Sequence, residues 1–158
     1  MSEQIEKTNY RIELEKNKVL AFVPGGNSMW PMLKNRGQSV VVQPKTEKLK
    51  KFDVALYQRD NGAFVLHRVI TPTEYGYVMC GDSQFTLEKV KEDMVFGVMT
   101  GFYKGKEYIE TDNLQYRKEV EEWYGNEKRR KRKLKRFYFN QRVKNKIKRI
   151  FSRLKKNV

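Results

Sequence analysis

Short runs of apolar and β-branched residues, separated by turn signals, occupy the first two thirds of the chain. Runs of this length and spacing are typical of strands in an antiparallel sheet. The strongest hairpin signal is Asp60-Asn61-Gly62, which lies between two such runs. We therefore predict a compact, mainly β domain over residues 1–112. Its predicted strands cover residues 19–23, 39–43, 54–57, 64–70, 77–80, 94–103 and 108–110.

The pattern changes to helical spacing after Asp112. Residues 114–124 are predicted to form a helix, with Asp112 or Asn113 as its cap. Residues 127–135 form a charge run that fits either a solvated helix or a linker. Beyond it, apolar residues recur mostly three or four positions apart, as on one face of an α-helix. This apolar stripe comprises Phe139, Val143, Ile147, Ile150, Phe151, Leu154 and Val158. We predict a helical, basic extension over residues 113–158.

The net charge of +15 belongs to the end of the chain. Residues 126–158 hold 16 of the 34 basic residues and one of the 19 acids, so residues 1–125 hold 18 of each and are neutral. The single cysteine, Cys80, excludes an intrachain disulfide and fits a reducing compartment. No apolar run approaches the ~18 residues that span a bilayer, and the amino terminus lacks the apolar core of a signal peptide. We expect a soluble, cytoplasmic protein or one lying on the inner face of the membrane.

Two residues could together form a nucleophile and its base. Ser28 follows a Pro-Gly-Gly segment, where glycines let the backbone approach a ligand closely. His67, the one histidine of the chain, lies in a predicted strand. An imidazole can take the proton that makes a serine hydroxyl nucleophilic near neutral pH. Each residue also has an ordinary structural interpretation, Ser28 as a turn serine and His67 as a buried strand residue.

A third residue is needed to orient the imidazole. Asp82, after Gly81 at a strand end, could accept its N–H, although it could equally cap a turn. Asp53 and Glu88 are weaker candidates for the same role.

Cys80 fits a small buried side chain. One histidine and one cysteine do not form a metal-ligand cluster, and the chain has no Gly-rich phosphate loop, so we expect neither a metal nor a cofactor.

Five segments in order resemble the signal peptidase and SOS-repressor type of serine peptidases. Gly26-Asn27-Ser28-Met29-Trp30-Pro31-Met32-Leu33, with Gly37 after it, resembles the nucleophile box. Leu66-His67-Arg68-Val69-Ile70 resembles the general-base box, where bacterial signal peptidases carry Lys-Arg-Val and the endoplasmic-reticulum and archaeal kinds carry His-Arg-Val. The remaining three segments are Phe52-Asp53-Val54-Ala55-Leu56-Tyr57, Gly81-Asp82-Ser83-Gln84 and Val95-Phe96-Gly97-Val98.

The resemblance covers about residues 18–103 and implies a β-rich peptidase fold of that family. It implies Ser28 as nucleophile, His67 as general base and Asp82 as third residue, with Glu88 left open as the alternative. It also implies an oxyanion hole or substrate contacts at Gly26, Asn27, Met29 and Pro31. Departures stand at Gly26, Gln38, Phe52 and Ser83, where signal peptidases carry Ser, Asp, Gly and Asn. Neither the membrane helix of signal peptidases nor the helix-turn-helix domain of SOS repressors is evident, so we expect a stand-alone member.

The leading hypothesis is a serine endopeptidase that acts on a peptide or protein substrate. One alternative is a catalytically inactive peptide-binding module of the same fold, and another is a basic nucleic-acid-binding protein. For the basic helix, binding to an anionic membrane surface through residues 137–158 is favoured. Packing of its apolar stripe on the β domain comes second and nucleic-acid binding third. The sequence names neither the substrate nor the oligomeric state.

Overall fold

The computed structural model describes residues 9–34 and 38–154, with side chains described through Ser152. Three members of the sequence patterns therefore lie outside the described part of the chain: Gly37, the side chain of Leu154, and Val158. The β-strands are β1 (Leu20–Phe22), β2 (Val40–Pro44), β3 (Val54–Gln58), β4 (Phe64–Thr73), β5 (Gly76–Cys80), β6 (Glu88–Lys91), β7 (Val95–Lys104) and β8 (Glu107–Glu110). The helices are α1 (Tyr10–Asn17), α2 (Leu114–Gly125), α3 (Glu127–Leu154) and a 3-10 turn (Glu92–Met94).

All described strand pairs are antiparallel and belong to one sheet. The strand order is β1-β2-β7-β3-β4-β5-β6, and β8 pairs with β7. The predicted hairpin joins β3 to β4, and Gly62 at its turn has a φ of +81°, a conformation that favours glycine. A mainly β antiparallel domain followed by helix at the carboxyl-terminal end is thus confirmed.

Helix α1, strand β6 and the 3-10 turn were not predicted from the sequence. Helix α1 buries only Leu14, so it carries no apolar stripe that would reveal it. It is held instead by its ends, because the Asn9 side chain accepts hydrogen bonds from the amides of Arg11 and Ile12 and Lys18 closes the last turn in the left-handed region. Strand β6 has one buried residue, Val90, among three charged residues, so it shows no apolar alternation.

One face of the sheet carries a closed apolar core. Apart from Leu49, which lies between β2 and β3, its members come from neighbouring strands, and those two apart in one strand share a face. Tyr57 and Val69 belong to this core, so β3 and the middle of β4 are held firmly in register. The core comprises Leu49, Ala55, Tyr57, Val69, Tyr77, Met79, Val90 and Val95.

The chain divides into two compact units, Met1–Arg117 and Lys118–Val158. The second unit contains most of α2 and all of α3. The amide of Tyr116 binds the Asn113 side chain, which caps α2, and the amide of Arg129 binds the Asn126 side chain at the start of α3. The charge run at residues 127–135 is therefore helix. Across the described residues, no helix is long and apolar enough to cross a membrane.

Candidate active site

Ser28 and His67 line the same cavity in the first unit. Its volume is about 380 Å³. The lining is mixed, with apolar residues such as Phe22 and Leu66 and polar residues such as Lys34 and Arg59. A concave site that combines apolar walls with convergent polar groups is a form that ligand sites take.

The loop that carries Ser28 is anchored by the turn after β5. The Ser83 amide donates to the Ser28 carbonyl oxygen at 2.8 Å, and the Ser83 hydroxyl donates to the Asn27 carbonyl oxygen at 2.8 Å. Gly81 makes this approach possible, since a Cβ there would lie 2.7 Å from the Ser28 carbonyl oxygen. Two of the five sequence segments thus meet in space, which fixes the position of Ser28.

His67 is placed by the pairing of β3 with β4. In this register His67 lies opposite Ala55, and Tyr57 lies opposite Val65. Because residues two apart in a strand share a face, Tyr57 and His67 are on the same face of the hairpin. The imidazole is 4% exposed, and burial lowers the pKa of His67 below its ordinary value of 6.5. The ring is therefore neutral at pH 7, as a general base must be.

The hydroxyl of Tyr57 determines the tautomer of His67. Its oxygen lies 3.3 Å from His67 Nδ1 and donates its one proton to Glu88 Oε2 at 2.8 Å. An ionised carboxylate only accepts, so the Tyr57 proton is committed to Glu88 and its oxygen can only accept from the ring. Nδ1 therefore carries the hydrogen, and Nε2 keeps the lone pair that can accept a proton.

Arg59 keeps Glu88 ionised. Arg59 Nε donates to Glu88 Oε1 at 2.7 Å and Arg59 Nη2 donates to Oε2 at 2.6 Å. These bonds are the largest cause of a lowered pKa for the Glu88 carboxyl. Glu88 Oε2 also lies 4.0 Å from His67 Nδ1, where its negative charge raises the pKa of His67 against the larger effect of burial. Arg59, Glu88, Tyr57 and His67 form one chain of polar contacts, which we call the imidazole relay.

Asp82 has a different partner from the one expected. Arg68 Nε donates to Asp82 Oδ1 and Arg68 Nη2 donates to Oδ2, both at 2.7 Å. Both residues are fully buried, and Arg68 also donates to the Phe52 carbonyl oxygen and to the Tyr116 hydroxyl. The expectation that the Asp82 carboxylate receives the imidazole N–H is therefore corrected. Of the two acids that the sequence left open, Glu88 is the one in the imidazole relay.

The remaining predicted site residues are divided between the cavity and its surroundings. Gly26 and Met29 line the cavity, whereas Asn27 and Pro31 are not among its lining residues. Gly26 has a φ of +78°, which favours glycine.

Two further residues that the sequence offered as candidates, Asp53 and Cys80, have structural roles. Asp53 accepts the Lys50 amide at 2.7 Å, an ordinary turn contact, and Cys80 is buried. Among residues 9–34 and 38–154, no three His, Cys, Asp or Glu side chains are grouped so as to hold a metal ion.

Sequence reasoning did not identify Tyr57, Arg59 or Tyr10 as site residues. Tyr57 and Arg59 stand two positions apart before the Asp60-Asn61-Gly62 turn, and that turn fixes the register that brings Tyr57 to His67. The predicted hairpin therefore already contained the register information that places Tyr57 near His67. Tyr10 lines the cavity from α1 and stacks on Phe22 at a ring distance of 4.7 Å. No apolar periodicity predicted α1, so this contact could not be found from the sequence.

Comparisons of this chain with models of known protein families, with curated proteins and with solved structures found no match.

Proposed function

We propose that this protein is a serine endopeptidase in which Ser28 is the nucleophile and His67 the general base. The single observation that supports this most strongly is that Ser28 and His67 line one cavity while the other ring nitrogen of His67 is bound within the imidazole relay. A buried strand histidine with only a structural role need not share a cavity with a serine. The ordered sequence segments that resemble the signal peptidase and SOS-repressor type support the same proposal.

The proposed reaction begins with proton transfer from Ser28 to His67. Ser28 Oγ attacks the carbonyl carbon of a peptide bond while His67 Nε2 accepts the hydroxyl proton. Backbone N–H groups of the Gly26–Met29 loop stabilise the negative oxygen of the tetrahedral intermediate. His67 then donates the proton to the leaving amine, which leaves an ester on Ser28. Water hydrolyses that ester, with His67 again accepting a proton.

In this proposal Glu88 and Tyr57 stabilise the imidazolium formed during the reaction. The positive ring gains from the Glu88 charge 4.0 Å away, and the Tyr57 oxygen accepts its Nδ1–H. Asp82 acts structurally, by neutralising buried Arg68. The cytoplasmic location expected from the lone cysteine stays a prediction, as does the stand-alone peptidase fold.

Cleavage of an unbiased peptide library is the experiment that tests the proposal. Mass spectrometry of the library after incubation should show new peptide termini with the wild-type protein and none with Ser28→Ala. Ser152→Ala is the matched control, because Ser152 is exposed on α3 and bonds only within its own helix in the described contacts. Identical cleavage by Ser28→Ala would refute Ser28 as nucleophile. A wild type that binds peptides without cutting them would support the binding-module alternative.

Removal of the Tyr57 hydroxyl should reduce turnover without unfolding the domain. Tyr57→Phe deletes the group that fixes the His67 tautomer, and we expect kcat to fall by about 10-fold or more. Tyr77→Phe is a closely matched control, because the Tyr77 hydroxyl donates to Glu92 at 2.6 Å, outside the imidazole relay. Equal losses of kcat in the two variants would contradict a positioning role for Tyr57.

The pH profile of the Glu88→Gln variant gives an independent check on this role. The Glu88 charge raises the pKa of His67 against the effect of burial, so its removal should lower that pKa further. Since neutral His67 is the active form, the acid limb of kcat/KM should move to lower pH in Glu88→Gln. A purely structural Glu88 would leave the limb in place.

A further inference from the structure

Five members of the apolar stripe are exposed on α3. Phe139, Val143, Ile147, Ile150 and Phe151 are 65%, 41%, 47%, 49% and 62% exposed. Their spacing places them on one side of the helix over three turns, a length of about 18 Å at ~1.5 Å per residue. Large apolar side chains that adjoin over this length form a continuous patch, and an exposed patch of this kind marks an interaction surface.

Basic residues border the patch on both sides. Lys146 lies one helical turn from Val143 and from Ile150, and Lys144 lies one turn from Ile147. All the described basic side chains from Arg142 to Arg149 are exposed. The chain has no acidic residue after Glu127. The electrostatic potential around the patch is therefore positive.

The helix uses a different side for its own packing. Leu134 and Arg130 are buried at the start of α3, and the Arg130 guanidinium lies 4.5 Å from the centre of the Tyr124 ring. Leu134 is five residues before Phe139, which at about 100° per residue puts the two on clearly separate sides. The stripe is therefore not the face through which α3 packs within its unit.

We propose that α3 lies in the plane of an anionic lipid bilayer, with the apolar stripe in the interface and the flanking lysines and arginines at the phosphate headgroups. A helix with an apolar side, basic flanks and low overall hydrophobicity has the features of interfacial membrane helices. Each basic residue near an anionic surface adds to the attraction. The basic residues that would contact anionic headgroups thus flank the same side of the helix that exposes the phenylalanines.

The same features disfavour two other occupants. A nucleic-acid duplex would use the positive charge, but binding to its phosphates gains nothing from exposed Phe139 and Phe151. A second copy of the chain would bring two strongly positive helices side by side, because each carries the net charge of +15 in its final segment. Both remain outcomes of the test.

Sedimentation with vesicles tests the proposal directly, and it does not depend on peptidase activity. We expect the full-length protein to sediment with vesicles of phosphatidylglycerol and phosphatidylcholine in equal parts, and not with phosphatidylcholine alone. The variant Phe139→Gln/Ile147→Gln/Phe151→Gln keeps helix-forming residues and should partition about 10-fold more weakly or worse. Tyr75→Gln, which replaces an exposed aromatic residue of the first unit, should bind as the wild type does.

A second readout keeps the proposal falsifiable if the triple variant fails to fold. In Phe151→Trp, lipids brominated on their acyl chains should quench more fluorescence than in the wild type, whose tryptophans are Trp30 and Trp123. Equal sedimentation of the wild type and a folded triple variant would overturn the proposal. So would binding to duplex DNA without vesicle binding, or a stripe-dependent dimer that ignores vesicles.

Discussion

Alanine at Asp82 is expected to destabilise the protein by about 3–5 kcal/mol, because it leaves the charge of buried Arg68 uncompensated. The carboxylate of Asp82 accepts two hydrogen bonds at 2.7 Å from Arg68, and the two residues are 0% exposed. At about 2–4 °C for each kcal/mol in a chain of this size, the thermal midpoint should fall by about 6 °C or more. Circular dichroism during heating measures it.

Two comparison variants separate this effect from general sensitivity to charge removal. Glu127→Ala removes an exposed partner of Lys131 and should leave the midpoint unchanged. Replacement of both members of the buried pair, as Arg68→Met/Asp82→Leu, should give a more stable protein than Asp82→Ala alone, because no charge is left buried. An Asp82→Ala protein with an unchanged midpoint but no turnover would mean that Asp82 acts in catalysis instead.

The sequence predicted the sheet well because its strands are signalled locally. Alternation and turn residues such as Gly62 are properties of a few neighbouring residues, and the β3–β4 hairpin followed from them. Helix α1 escaped prediction because only Leu14 is buried, so its stability comes from end contacts rather than from an apolar stripe. Strand β6 escaped for a similar reason, since one valine among charged residues gives no clear alternation.

The site was only partly predictable for a geometric reason. Adjacent strand residues such as His67 and Arg68 face opposite sides of a sheet, and an acid that follows the next strand can reach either one. The sequence therefore could not decide which of them Asp82 binds, and the structure gives it to Arg68. Glu88 acts on His67 through the hydroxyl of Tyr57 and through its own charge 4.0 Å from Nδ1, and this arrangement depends on the pairing of β3, β4, β5 and β6.

Alanine at His67 is expected to slow the reaction of Ser28 by about 10²–10⁴-fold, the range in which a positioned general base contributes. His67 Nε2 is the group that takes the Ser28 proton in our proposal, and Nδ1 is held by the imidazole relay, so no second base replaces it there. The chain contains one histidine, so the substitution removes every imidazole. A comparable loss should appear in peptide turnover and in any reaction that depends on an activated Ser28.

Covalent modification by a fluorophosphonate probe measures this activation without knowledge of the substrate. The rate of Ser28 phosphonylation as a function of pH tests most directly whether neutral His67 activates Ser28. Peptide mapping of the wild type should place the label on Ser28, with a rate that falls at acid pH around a midpoint below 6.5, because burial lowers the pKa of His67. His67→Ala should be labelled only at the slow background rate. Labelling elsewhere in the folded protein, or equal rates in the wild type and His67→Ala, would contradict the proposed Ser28–His67 peptidase.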